Sequence, residues 1–525
     1  MSDRRRVVVV TGGGGGIGAA IAESLGRTGA FVVTVDPLVS VDGSEHLPQP
    51  TETTADRIVA AGGAARASAA SVTDEPAIRQ LFVELADEFG GLDAVVNVAG
   101  ISRPTSFTRG SDDDWLSVLS VHLDGYRNVL GAALPLMAAA GRGHILGVTS
   151  GSGWRPADGG AYGCAKRAVA ALTWQLGRHA PAGVVVNAIS PIAATRMVAA
   201  ALGSAQASAS ATGGLSLGSM PAPEHLGPLG AHLVDDTFTE CQGQVLFAGG
   251  SEVAVIEEPR LIEVVRSDDV PSLPHLFEIA TSVALVAAEA HQVSGGGSNV
   301  RLGSIFDVAP TENLSTAAGS CAVVANRPDV AAAVTAAVKA RGVTPHSIDD
   351  PAALADLDEL DSIVIALSGR SPTSGATSSW ERILAEHDGL VDDIYVDAQW
   401  SRAAAVFAES KQRPVRVVTI TEASTAGGRS RAQASAQLAR GARTATADLV
   451  ASFAISAESE DIPAELAAHL ACSPAVDGLS GAELATGAGW FGLRSHPRPI
   501  GSISFGGPAV PPWFDDTLRE VVRPR

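Results

Sequence analysis

The sequence predicts an α/β protein: two doubly wound, Rossmann-like domains in tandem, parallel sheets flanked by helices, the second a degenerate copy of the first. Three observations predict it. β-Branched runs alternate with helical apolar spacing, a glycine-rich turn joins the first run to the first helix, and the second half repeats landmarks of the first in order. A chain of 525 residues also exceeds one ordinary core and suits two units of about 200–270 residues.

The elements follow in order. Arg5–Thr11 reads as a strand, Ile17–Thr28 as a helix and Phe31–Val35 as a second buried strand ending at Asp36. The polar stretch 37–54 reads as an exposed excursion. Helices are expected at 54–62, 74–90, 112–140 and 160–179, and strands at Leu92–Val96, His144–Thr149, Val184–Ile189 and Gly243–Ala248. Alternation of this kind builds a parallel sheet covered on both faces. Residues 198–219 are small and polar, which fits a mobile pocket cover. The expected domains are 1–267 and 318–525, joined by a connection at 268–317 that carries one helix, Pro274–His291, and a flexible SGGGSN run.

The repeat is legible in pairs. LDAVVNVAGISRPTS (92–106) has a counterpart in LDSIVIALSGRSPTS (360–374), with Trp115 and Trp380 each opening a following helix. GHILGVTS (143–150) parallels VRVVTITE (415–422), VVVNAIS (184–190) parallels LVASFAIS (449–456), and LGAHL (229–233) parallels LAAHL (466–470).

The chemistry gathers in the first half. Thr11, Gly12 and the glycines through Gly16, then Ile17 and Gly18, lie between strand and helix, where bare backbone and a helix N-terminus suit a pyrophosphate. Asp36, at the end of the second strand, is placed to bond adenosine ribose hydroxyls and would repel a 2′-phosphate. No Arg or Lys follows within Pro37–Ser44, so NAD is favoured over NADP. Tyr162 and Lys166 are four apart on one helix, hence on one face. A phenol needs help to act as a base at neutral pH, and a neighbouring ammonium favours the phenolate. Ser150, at the preceding strand end, can donate to a substrate oxygen.

Together TGGGGGIG, NVAG (97–100), Ser150/Tyr162/Lys166 and SPIAAT (190–195) resemble the short-chain dehydrogenases/reductases across nearly all of residues 5–250. The resemblance implies a nicotinamide-dependent alcohol/ketone oxidoreductase with Tyr162 as acid/base. It implies that Asn97 steadies the central strand, that Ala99 and Gly100 face the adenosine side, that Thr195 holds the nicotinamide carboxamide, and that Pro191 is among the cofactor-binding residues. It also implies that Lys166 grips the ribose. Three departures stand out. His122, in VHLDG, occupies the place where the family commonly has an Asn in its proton relay; a relay role and a locally satisfied histidine are both open. The usual acidic contact to adenine is absent around Ala70, Ser71 and Val72, leaving Ser71 or backbone. Tyr162 follows Ser150 by 12 positions where 13 is common. The VHL variant, the long excursion and GISRPTSF also resemble the (3R)-hydroxyacyl-CoA dehydrogenase portion of multifunctional β-oxidation enzymes, which implies hydroxyacyl thioesters or other bulky alcohols such as steroids. Dehydration or epimerisation with the same Tyr/Lys pair, and a non-catalytic NAD-binding regulator, are the rival readings.

In the second copy Glu422 falls at Ser150, Ser430 at Tyr162 and Ala434 at Lys166, and Asn326-Arg327-Pro328 replaces the glycine turn. That half is expected neither to bind NAD in the usual manner nor to catalyse, and to dock on the first as an internal pseudo-dimer partner, with further homo-oligomers open. A formal charge of -20 argues against a nucleic-acid partner. No stretch of about 18 apolar residues exists to span a membrane. The N-terminal apolar run is too short for a signal peptide, and four scattered cysteines suit a reducing compartment without a zinc site. A cytoplasmic enzyme acting on a small molecule is the expectation.

Overall fold

The valine run that opens the chain sits in the middle of a nine-stranded sheet. In the computed structural model, which describes residues 4–205, 220–266, 274–294, 319–370, 375–459 and 462–522, the first strands are β1 (Val7–Thr11), β2 (Phe31–Val35), β3 (Ala64–Ser68), β4 (Ala94–Asn97), β5 (Gly143–Val148), β6 (Val184–Pro191), β7 (Val245–Gly249), β8 (Glu252–Ile256) and β9 (Leu261–Arg266). Seven pair in parallel in the order β7-β6-β5-β4-β1-β2-β3. Both faces of β1 are buried, which is why it reads as a continuous apolar run rather than an alternation. The order reverses beside β1, and a crevice opens at the carboxyl ends of β1 and β4.

The second sheet is built from β10 (Ser320–Ala325), β11 (Thr344–Ser347), β12 (Ser362–Ala366), β13 (Val415–Glu422), β14 (Val450–Ala457), β15 (Glu483–Gly487) and β16 (Trp490–Arg494), and β17 (Pro499–Ser504) follows in sequence. Its order is β11-β10-β12-β13-β14-β15-β16-β9. Here the division expected near residue 267 meets a strand exchange. β9 leaves the first half and pairs antiparallel with β16, while β17 returns and pairs antiparallel with β8. The crossing segments run side by side: the Glu257 amide donates to the Arg498 carbonyl at 2.9 Å and the Ser495 amide to the Arg260 carbonyl at 2.8 Å. Each sheet thus takes its last strand from the other half.

Between the sheets, helix Asp112–Leu119 faces Leu390–Lys411, Gly125–Ala140 faces Ser379–Glu386 and Gly160–His179 faces Ala426–Ala445. The largest apolar cluster runs through both halves, with Trp115, Tyr126 and Leu172 joined to Ile394, Trp400 and Phe407. The halves therefore pack on each other, as the apolar helix faces require. The last helix, Phe514–Val522, returns to the first half, where Phe514 and Leu518 complete the core on the sheet's other face.

Two expectations change. The helix over 112–140 is interrupted by a π-helical turn, Ser120–Asp124, which carries His122. The excursion after Asp36 is not a free loop. Val39 bridges His46, the Ser102 amide donates to the Val41 carbonyl at 2.8 Å, and Arg103 Nε donates to the Asp42 carbonyl at 2.8 Å. A helix occupies Arg196–Ala205, whereas 206–219 and the SGGGSN run from Gly295 onward lie outside the described residues.

Candidate active site

The crevice holds a cavity of 830 Å³, within the range of small-molecule and cofactor sites. Its wall runs from Asp36, Ser71 and Val72 past Gly12, Gly16, Ile17, Ala99 and Gly100 to Ser150, Tyr162, Lys166, Pro191 and Thr195, with His122 beside them. Three expected cofactor residues stand behind the wall instead. Thr11 and Asn97 are buried, with Thr11 Oγ1 donating to Asn97 Oδ1 at 2.8 Å and accepting the Ala99 amide at 3.3 Å. They fix β1 to β4 under the crevice. Gly18 lies beneath the turn, where a Cβ would overlap the Gly12 carbonyl oxygen.

The turn suits a dinucleotide because it is bare. Gly12 has φ +65°, and a Cβ there would sit 2.8 Å from the Ala99 nitrogen. A Cβ at Gly14 would sit 2.6 Å from Asp36 Oδ2. That carboxylate is fixed at both oxygens: Oδ2 accepts the Gly14 amide at 3.0 Å and Oδ1 the Leu38 amide at 2.9 Å. Gly15 faces Arg196, whose Nη2 would lie 3.2 Å from a Cβ at Gly15. An exposed guanidinium beside a pyrophosphate cradle is a natural anion partner. The sequence reading missed it, and the available signal was a basic residue directly after SPIAAT. It also missed the wall given by Val39, Val41 and His46, because pairing of the excursion with residues 101–103 is not local.

At the other end, Lys166 is buried and its Nζ donates to the Val148 carbonyl at 2.7 Å. Burial pushes its amine down to about 7. The Nζ stands 5.7 Å from the Tyr162 ring centroid. Burial pushes the Tyr162 phenol up, against the opposing hydrogen bond with Ser150. The expected lowering of the Tyr162 phenol by Lys166 does not appear; burial outweighs the Ser150 bond. Ser150 is in extended backbone at the start of a short 3₁₀ turn, and its Oγ also accepts the Ser152 amide at 3.3 Å.

His122 is satisfied locally at one ring nitrogen only. Its Nε2 donates to the Ile101 carbonyl at 2.8 Å, which assigns the proton to Nε2, while buried Nδ1 has no hydrogen-bond partner. The ring meets Tyr162 edge to face at 5.0 Å between centroids. Burial, then the nearby Lys166 charge, hold its pKa well below the ordinary histidine value, with the Ile101 bond opposing. Gly100 permits this approach, since a Cβ there would overlap the imidazole.

At the corresponding turn of the second half, side chains bond to one another across the strand ends. Arg327 pairs with Asp329 and reaches Glu422 at 3.1 Å; Glu422 accepts Ser368 Oγ at 3.0 Å, and Asn326 Nδ2 donates to the Ser368 carbonyl at 3.0 Å. Ser430 is buried against the first half, bonded to His387 Nε2 at 2.8 Å and Gln175 Nε2 at 3.2 Å. Among the described residues no His, Cys, Asp or Glu group can hold a metal ion, and no helix is long and apolar enough to cross a membrane.

Comparisons with known proteins agree with this geometry. Residues 6–205 match the family described as short chain dehydrogenase. The chain is 32% identical over 259 residues to the hydroxyacyl-CoA dehydrogenase ChsB1 of Mycobacterium tuberculosis, covering 47% of this chain and 77% of that one. It is 32% identical over 246 residues to the peroxisomal hydratase-dehydrogenase-epimerase of Neurospora crassa, covering 46% of this chain but only 26% of that longer one. Among solved structures, the N-domain of a bacterial malonyl-CoA reductase with NADP aligns over 89% of this chain and 95% of its own, with a TM-score of 0.60 and 16% identity. That likeness concerns the fold and extends through both halves. The chain belongs to the short chain dehydrogenase family, and it is an NAD(P)-dependent oxidoreductase.

Proposed function

We propose that the chain interconverts a secondary alcohol and a ketone with NAD, taking hydroxyacyl thioesters or similarly bulky alcohols, and that Tyr162 is the acid/base. The observation that carries this reading is the continuity of one cavity from Asp36 across the bare glycine turn to Ser150, Tyr162 and Lys166. Held in this cavity, NAD would supply the hydride acceptor for the alcohol carbon. The residues do the rest. Ser150 holds the substrate oxygen, Tyr162 takes the hydroxyl proton on oxidation and returns it on reduction, and Lys166 lies one helical turn away to bind the ribose and bias the phenol. His122 Nδ1, an unused acceptor near that amine, fits a role in passing the proton onward. Asp36, held at both oxygens with no cation after it, favours NAD over NADP. The second half lacks the glycine turn and the Tyr/Lys pair, so one working site per chain follows. The relatives' names support the thioester class.

The test is a panel of 3-hydroxyacyl-CoA, steroid and simple secondary alcohols with NAD or NADP, followed at the reduced-nicotinamide band. NADH formation with the hydroxyacyl-CoA is expected to exceed that with simple alcohols. Turnover of none of these alcohols, or clear preference for NADP, would refute the corresponding part.

A further inference from the structure

Three segments meet behind the reacting end of the cavity: 101–111, whose Ile101 and Arg103 line it, the helix Gly160–His179, whose Tyr162 and Lys166 line it, and the loop 151–159 that joins Ser150 to that helix. They are tied to each other. The Phe107 amide donates to Asp158 Oδ1 at 2.8 Å, and the Ala161 amide to Thr105 Oγ1 at 3.2 Å. Each is also held by a buried or half-buried side chain of the second half. Gln437 Nε2 donates to the Arg155 carbonyl at 3.0 Å, and its Cγ would lie 3.5 Å from a Cβ on Gly163, the neighbour of Tyr162. Gly441 brings its backbone to Asp158, where a Cβ would be 3.2 Å from the Asp158 Cα. Arg402 donates to the Gly110 carbonyl and lies 5.3 Å over the Trp115 ring. Arg167, the fully buried neighbour of Lys166, pairs with Glu483, donates from Nε to Gln433 Oε1 at 2.7 Å, and donates to the Gly153 carbonyl at 3.2 Å.

These contacts exceed what covering an apolar face requires. Polar groups buried at an interface cost desolvation unless each finds a partner, and they fix geometry more than they add stability. Gln437 illustrates this: its Nε2 is spent on the Arg155 carbonyl while its buried Oε1 has no partner. We infer that the second half serves as a built-in positioning partner for the active site, with Gln437 setting the 151–159 loop and Arg402 setting the 101–111 segment. Neither residue touches the cavity, so both act through the backbone they hold. The inference deepens the proposed reaction and rests on it for its functional consequence only.

The test uses the full chain. Gln437→Glu keeps shape and removes the donor; Arg402→Ala removes the carbonyl contact and the ring contact. Hydrogen exchange, read without any substrate, is expected to quicken about fivefold at 151–159 in the first variant and at 105–111 in the second, with peptides of β1 and the helix Gly16–Arg27 unchanged. NADH affinity is expected to stay within about twofold, because the cradle is remote from both contacts. With the best alcohol of the panel, KM for the alcohol is expected to rise severalfold while KM for NAD holds, and Arg402→Lys is expected to restore part of the loss. Unchanged exchange at both segments, or a uniform rise along the chain, would overturn the positioning role. The exchange result stands even if no alcohol in the panel is turned over, so the two failures are separable.

Discussion

At the scale of single residues the reacting end is governed by desolvation. Burial raises the Tyr162 phenol and brings the Lys166 amine down to about 7. The base form of Tyr162 is therefore scarce near neutrality, and alcohol oxidation is expected to speed up as pH rises while ketone reduction, which needs the protonated phenol, slows down. A pH–rate profile in both directions checks this, and a flat oxidation limb between pH 7 and 10 would contradict it. Tyr162→Phe is expected to lower turnover by at least about a thousandfold while leaving NADH binding nearly intact; persistent turnover would remove Tyr162 as the base. Arg196→Ala is expected to weaken NADH binding about tenfold, measured by fluorescence, with partial rescue by Arg196→Lys, because the guanidinium faces Gly15. The identities of Ser150, Tyr162, Lys166 and Asp36 were legible because each is fixed to a strand end or a helical turn. Arg196 was not, since its place depends on the fold of the segment after β6.

Elements were legible where their pattern is local. The run Val7–Val10, the glycine turn and the helix spacing of 160–179 need no distant partner to be read. What escaped was made by tertiary pairing. The edge strands β9 and β17 each pair only with a strand of the other half, β16 and β8. The π turn at Ser120–Asp124 inserts one residue into a helix whose apolar spacing looks continuous, turning His122 inward. The glycine turn is the least forgiving element. Any side chain at position 18 meets the Gly12 carbonyl, so Gly18→Ala is expected to abolish NADH binding, visible as loss of NADH fluorescence enhancement.

At the scale of the molecule, the exchange of β9 and β17 makes the halves interdependent. A fragment of residues 1–267 loses the strand that covers β8 and the sheet that receives β9, and an exposed strand edge invites association. It is expected to be poorly soluble, which gel filtration would show; a monomeric fragment would contradict that. The buried chain Arg167–Glu483–His496–Glu289 adds a pH signature. Arg167 beside it and its bond with His496 hold Glu483 at about 2 despite burial, so its contribution is present above its ordinary 4.5 and fades as pH falls below that. The two glutamates raise His496 despite burial, so its contribution is full below its ordinary 6.5 and fades as pH climbs through the raised value. His496→Gln is expected to flatten the alkaline fall in urea stability, and an unchanged slope would refute the assignment. The tandem arrangement was legible from the paired landmarks, but the strand exchange was not, because each crossing segment is short and matched only in space. The most direct test of the whole account is a calorimetric titration of the full chain with NADH, set beside Gly18→Ala. One site per chain, lost in the variant, is the predicted result; two sites, or one that survives the substitution, would contradict it.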